Sequence, residues 1–148
     1  MNILGVSEGF HDAGICLLRD DKIHFASHSE RHSRKKGDKW IHPDQLPKTQ
    51  KYKPDVIAYY EKPFRKNLRR LYAGQKWQKP RRKYDVYFGH HESHAAAGYY
   101  TAPFDECNVL VIDAIGEWDT MSIWKGSVEN GYMGQKTHTL KKLKSWKY

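Results

Sequence analysis

Cysteine is scarce in this chain of 148 residues: only Cys16 and Cys107 occur, both inside apolar strand-like runs. That excludes a disulfide framework and reads as two small buried hydrophobes in a reducing compartment. No run approaches the ~18 apolar residues a membrane span needs. Met1-Asn2-Ile3 opens straight into a strand-like pattern, so neither secretion nor membrane attachment is expected, and a cytoplasmic location is. Hydrophobic residues make up 39%, against the usual ~45–50%. Also missing are a glycine-rich phosphate loop, zinc-finger spacing, an aromatic RNA-binding signature, a short-period repeat and any low-complexity tract.

Aromatic residues are plentiful, at 14% of the chain with five Trp, ten Tyr and five Phe. Rings in that number need an interior, which argues for a folded domain with much polar surface. The net charge of +9 is concentrated. Between Arg31 and Lys83 stand 18 Lys and Arg against four acids, whereas the remainder of the chain is net acidic. Such a segment attracts phosphate-bearing partners, or is simply a solvated face that confers solubility. Charge alone does not name a partner, and nucleic acid is not the expected one.

Residues 3–7, 13–19 and 22–28 read as three closely linked strands, with Asp20-Asp21 at a tight turn. A short helix is expected near residues 43–46 and a buried strand at 55–60. Pro63 opens a helix whose apolar stripe is Phe64, Leu68, Leu71 and Tyr72. Residues 84–88 suggest another strand, and residues 89–100 a helix of small residues halted by Pro103. Residues 107–113 form the most strand-like run, followed by a turn at 114–116, and two more strands are expected at 118–125 and 132–143. The class is α/β.

His90 and His94 stand four apart on the predicted helix, so both imidazoles project from one face at metal-clamping distance. His91 lies about 100° around that helix and points elsewhere. Glu92 occupies the third place, so this is not the zincin pattern. Two ligands are an incomplete site, and a helix surface that happens to carry histidines is the alternative. Asp113, at a strand end beside a glycine turn, suits a metal or a phosphate, or is only a turn former. His11 and Asp12 occupy the loop after the first strand. They would lie at the same sheet edge as Asp113 if the sheet is continuous, where a histidine suits acid–base work.

Polar turns at residues 7–9 and 113–116 each open a βββ run, an arrangement that resembles the ribonuclease-H-like lobe of the actin, sugar-kinase and heat-shock ATPase superfamily. The segments Leu4-Gly5-Val6-Ser7, Phe10-His11-Asp12-Ala13, Ser29-Glu30-Arg31 and Tyr60-Glu61-Lys62-Pro63 resemble the NodU/CmcH carbamoyltransferases. So do His90-His91-Glu92-Ser93-His94-Ala95-Ala96, Pro103-Phe104, Ile112-Asp113-Ala114-Ile115-Gly116-Glu117-Trp118 and Thr137-His138-Thr139-Leu140.

The resemblance implies a mixed sheet with flanking helices, over residues 1–148, as the N-terminal lobe of a Kae1-like domain. It implies ATP, carbamoyl phosphate and iron or another divalent metal. Their reaction would pass a carbamoyl group through a carbamoyl-adenylate to a small-molecule hydroxyl acceptor. By the same resemblance His90, His94 and Asp113 hold the metal, Asp113 and Gly116 face the nucleotide, and His11 and Asp12 serve the transfer centre. The family's second lobe, a further metal-binding aspartate and a YrdC-like domain have no counterpart in these residues. Either the rest of a longer protein or a separate chain would supply them, and the chain alone is expected to be inactive and to bind metal weakly. A non-catalytic metal- or nucleotide-binding remnant and a basic nucleic-acid-binding module are the competing readings.

Overall fold

The computed structural model describes residues 1–46, 49, 51–131 and 135–147. The first strands are β1 (Asn2–Ser7), β2 (Gly14–Arg19) and β3 (Lys22–His28), followed by the one-turn helix α1 (Glu30–Ser33) and a 3-10 turn at Pro43–Gln45. Then come β4 (Val56–Tyr59), helix α2 (Pro63–Tyr72), β5 (Val86–Tyr87) and helix α3 (His90–Tyr100). Strands β6 (Cys107–Gly116), β7 (Asp119–Asn130) and β8 (Lys136–Lys147) close the described chain. The fold is α/β, and no described helix is long and apolar enough to cross a membrane.

Two compact units divide the chain. The first comprises residues 1–60 and 78–88, and the second residues 61–77 and 89–148. In the first, a five-stranded mixed sheet has the order β3-β2-β1-β4-β5. An antiparallel meander joins β1 to β2 and β2 to β3, and β1 also pairs in parallel with β4. Asp20 and Asp21 both have positive φ (49° and 62°). Short Asx side chains tolerate that conformation, so the β2–β3 hairpin turns tightly where the sequence suggests. Alternation places Leu4, Val6, Ile15 and Leu17 in one core with Ala13, Ile41, Tyr59 and Tyr84.

A buried polar anchor shapes the loop between β1 and β2. Glu8 is 2% exposed. Its carboxylate accepts the Tyr84 hydroxyl at 2.6 Å, and its carbonyl accepts the Tyr59 hydroxyl. Burial and then the Glu8 carboxylate push the Tyr84 hydroxyl far above its ordinary value, so it stays a donor. Gly9 N–H and Ala13 N–H donate to the carbonyls of Lys39 and Asp38, at 2.7 Å each. The loop carrying His11 and Asp12 is therefore held at both ends.

The second unit contains the antiparallel sheet β6-β7-β8. Its apolar core is small: Ala95, Val111 and Trp124, with Val109 and Leu140 beside them. Glycine allows α3 to sit close: a Cβ at Gly126 would collide with the Tyr99 ring.

Three expectations need correction. The sheet is not continuous, because β1 and β6 belong to separate sheets, so His11 and Asp113 share no sheet edge. Residues 114–116 are not a turn: β6 runs through an irregular register to Gly116, and the turn is Glu117-Trp118, with Glu117 at φ 56°. Strands β7 and β8 reach Asn130 and Lys147, because pairing along the ladder extends them past their apolar residues; residues 132–134 of the expected last strand lie outside the described ones. The apolar stripe of α2 is exposed, with Phe64 at 63% and Tyr72 at 80%, while Lys66 and Asn67 are buried. Polar contacts anchor that helix.

Candidate metal centre

Helix α3 begins at His90, and Gly89 N–H donates to the Glu92 carboxylate at 2.9 Å, closing the first turn. Positions 90 and 94 therefore share one face, above strand β6. His90 Nε2 lies 2.7 Å from Asp113 Oδ2 and 3.1 Å from His94 Nε2. His94 Nε2 is 4.0 Å from the same carboxylate oxygen. The three side chains thus each offer one ligand atom to a common point, all within 4.8 Å of one another.

Two bonds of ~2.0–2.1 Å to one ion separate their donors by roughly 3.0 Å at a right angle and about 4.2 Å when opposed. The observed separations of 2.7, 3.1 and 4.0 Å fit that span after a small opening of the His90–Asp113 pair. Protons alone satisfy this cluster poorly, because an imidazole nitrogen carries either a proton or one in-plane lone pair. His90 Nε2 faces two partners. Two imidazoles and one carboxylate are a donor set suited to zinc or ferrous iron.

The electrostatics favour the ligating protonation states. Burial pulls the His90 imidazole below its ordinary value, outweighing the opposing hydrogen bond from Asp113. For Asp113, burial would raise the carboxyl, but the His90 hydrogen bond and charge prevail and hold it below the ordinary range. Neutral imidazoles beside a carboxylate are what a cation requires.

Behind this cluster lies a set of buried charges. Glu61 and Lys66 form an ion pair with side chains only 5% and 11% exposed. Glu61 Oε2 also lies 3.9 Å from His90 Nδ1, an ion-pair separation on the side away from Asp113. At that distance the carboxylate is a charge beside the ring rather than a hydrogen-bond acceptor for it. The buried Glu117 carboxylate accepts the Lys62 backbone N–H at 2.7 Å, at the start of α2, and stands 3.4 Å from Arg65. These contacts explain why α2 is held by its polar face.

His91 is turned away and buried. Its Nδ1 lies 2.8 Å from Ser122 Oγ, which accepts Trp124 Nε1–H at 2.8 Å. Gly116 sits directly beneath both histidines: a Cβ there would lie 2.5 Å from Cδ2 of His90 and of His91. The glycine is needed for close approach of β6 to the start of α3, a role its place in the sequence does not reveal.

His11 and Asp12 belong to the other unit. His11 Nδ1 meets Asp12 Oδ2 at 2.6 Å, both side chains remain accessible at 61% and 45%, and Asp12 adopts φ 49°. Sequence reasoning missed Glu8, Glu61 and Glu117 as organising groups. The available signal was an acid inside or beside a basic or glycine-bearing loop, which is weak without contacts.

Residues 49–140 match the family model described as the carbamoyltransferase N-terminus, a stretch containing His90, His94, Asp113 and Gly116. An uncharacterized protein of Synechocystis is 29% identical over an alignment that covers 84% of this chain. The chain spans only about a quarter (27%) of that relative's length.

Proposed function

Because the chain belongs to the carbamoyltransferase N-terminal family, we propose that it forms the metal-bearing part of an ATP-dependent O-carbamoyltransferase of the NodU/CmcH type. The observation that carries the reading is the convergence of His90, His94 and Asp113 on one point. Carbamoyl phosphate is the donor, a carbamoyl-adenylate the intermediate and a small-molecule hydroxyl the acceptor. The mixed sheet built from a meander and a parallel β1–β4 pair supports assigning residues 1–148 to an actin-like ATPase lobe. Further chain, in the same protein or a partner, completes the enzyme in this reading.

His90, His94 and Asp113 would hold iron or another divalent cation, which when bound polarises phosphate or carbamoyl oxygens and offsets developing negative charge. Glu61 places a negative charge beside His90, and Gly116 lets the strand approach closely enough for Asp113 to reach the two imidazoles. Asp113 also borders the nucleotide phosphates. His11 serves as general base: Asp12 holds the proton on Nδ1, leaving the Nε2 lone pair to take the acceptor hydroxyl's proton as that oxygen attacks the carbamoyl carbon of the carbamoyl-adenylate and AMP departs by cleavage of the carbamoyl–phosphate C–O bond.

The test is a ferrous-ion titration of the purified chain with and without ATP. ATP should tighten metal binding in the parent, and Asp113→Asn should remove that coupling. Metal binding indifferent to ATP, or coupling that survives in Asp113→Asn, would refute the shared site.

A further inference from the structure

A second constellation of metal-ligating side chains lies in the first unit and shares no residue with the His90, His94 and Asp113 cluster. His32, on α1, and His42 and Asp44, around the 3-10 turn, each present one ligand atom, and these atoms lie within 4.8 Å of one another. His42 Nδ1 is 3.6 Å from Asp44 Oδ2. That nitrogen also accepts a long 3.3 Å hydrogen bond from Asp44 N–H, which an arriving cation would displace. The His32 and His42 ring centroids lie 5.6 Å apart with planes 13° from parallel, so a modest ring rotation would bring both lone pairs to a common ion.

The scaffold beneath them is unusually well fixed. Ser29 and Gln45 are both fully buried, at 0% exposure. Ser29 Oγ donates to Gln45 Oε1 at 2.6 Å, and the His42 N–H points at both of these oxygens, at 3.1 and 2.9 Å. Gln45 Nε2 donates to Ser27 O at 2.8 Å, while Ser27 Oγ lies 2.9 Å from His32 Nε2. This polar knot ties the segment bearing His32 to the segment bearing His42. Ligands on a rigid, hydrogen-bonded scaffold need little ordering when a cation arrives. The Asp44 side chain is 71% exposed and free to swing inward.

From this arrangement we infer a second metal site, in which His32, His42 and Asp44 bind one imidazole-preferring divalent ion such as zinc. The basic stretch around it, with Arg31, Arg34, Lys35 and Lys36, disfavours hard cations that bind through charge alone. It leaves ions whose affinity comes from nitrogen donation. Bound there, the ion acts as a clip across residues 27–45, a segment whose Asp38 and Lys39 carbonyls also hold the His11 loop.

The inference does not depend on the carbamoyl-transfer reading, and its test removes that site. In a His90→Ala/His94→Ala double variant, zinc chloride titrated calorimetrically should still bind with one equivalent. Adding His32→Gln, which keeps a polar side chain but no imidazole, should weaken zinc at least tenfold. Asp44→Asn, at an exposed position that cannot unfold the chain, should weaken it severalfold. Zinc should also slow amide hydrogen exchange in residues 27–45 of the double variant. No zinc binding by the double variant, or binding that survives both His32→Gln and Asp44→Asn, overturns the proposal.

Discussion

The two units solve the problem of a polar, aromatic-rich sequence in opposite ways. The first buries a continuous set of eight residues from Leu4 to Tyr84, and Glu8 is the one carboxylate among its described buried residues. The second has a cluster of only three buried apolar residues, Ala95, Val111 and Trp124, with Tyr99 buried besides. It buries Glu61, Lys66, Asn67, His91, Glu117 and Ser122 instead. A core of the first kind draws on area removed from water and is indifferent to pH. A core of the second kind is held by hydrogen bonds and charge pairs, which define geometry well but depend on protonation state and partner. The His90, His94 and Asp113 cluster borders this second kind of interior, with His94 on its exposed side.

That contrast can be broken by single substitutions. The largest effect should come from Glu61→Ala, which removes the carboxylate partner of the Lys66 ammonium from the interior at a cost of ~3–5 kcal/mol. Hydrogen exchange should locate the loss in α2 and its surroundings, and a cost near zero would mean that the pair is dispensable. Leu17→Ala attacks the other unit. Leu17 is fully buried, and truncation should cost ~2–5 kcal/mol. Denaturant midpoints should be lowered by a similar amount at acid and neutral pH.

Gly116→Ala should follow, at ~1–3 kcal/mol, because the added carbon displaces His90 or His91 from well-packed positions. Its signature is a loss of metal affinity larger than the loss of stability suggests. An alanine variant with parental metal affinity would remove the packing role assigned to this glycine.

The smallest expected effect is on pH dependence. Burial holds His90 and His91 below the ordinary imidazole value, so folding favours their neutral forms. Their stabilisation is complete above about pH 6.5, the unfolded value, and is lost as pH falls through the lower folded values. Asp113, also held low, adds a loss in the same direction at more acidic pH. Metal-free protein should therefore have a lower denaturant midpoint at pH 5.5 than at 7.5, with the change confined to the second unit. A flat profile would contradict it.

Legibility in the sequence followed the same division. Strands β1 to β3 were readable because β1 and β2 are short apolar runs, β3 alternates and each turn carries Gly or Asp, signals that are local. Pro63 marked the start of α2 for the same reason. Which face of α2 is buried was not legible, because the Phe64–Tyr72 stripe is a local pattern while Glu61 and Glu117 act from outside the helix. The end of β6 was misplaced because Ala114-Ile115-Gly116 reads as a turn until pairing of Gly116 with Asp119 is known. His90 and His94 were legible from helical spacing alone. Glu61 as the charge beside His90 and Gly116 as their floor were not, since both roles exist only in three dimensions.

The claim that matters most is that His90, His94 and Asp113 converge on a cation. The direct measurement is anomalous diffraction from crystals of the chain grown with ferrous or zinc ion. The account predicts an anomalous peak about 2.0–2.1 Å from both Nε2 atoms and close to Asp113 Oδ2, and its disappearance in His94→Ala crystals. A peak elsewhere with the His90–Asp113 hydrogen bond intact would contradict it.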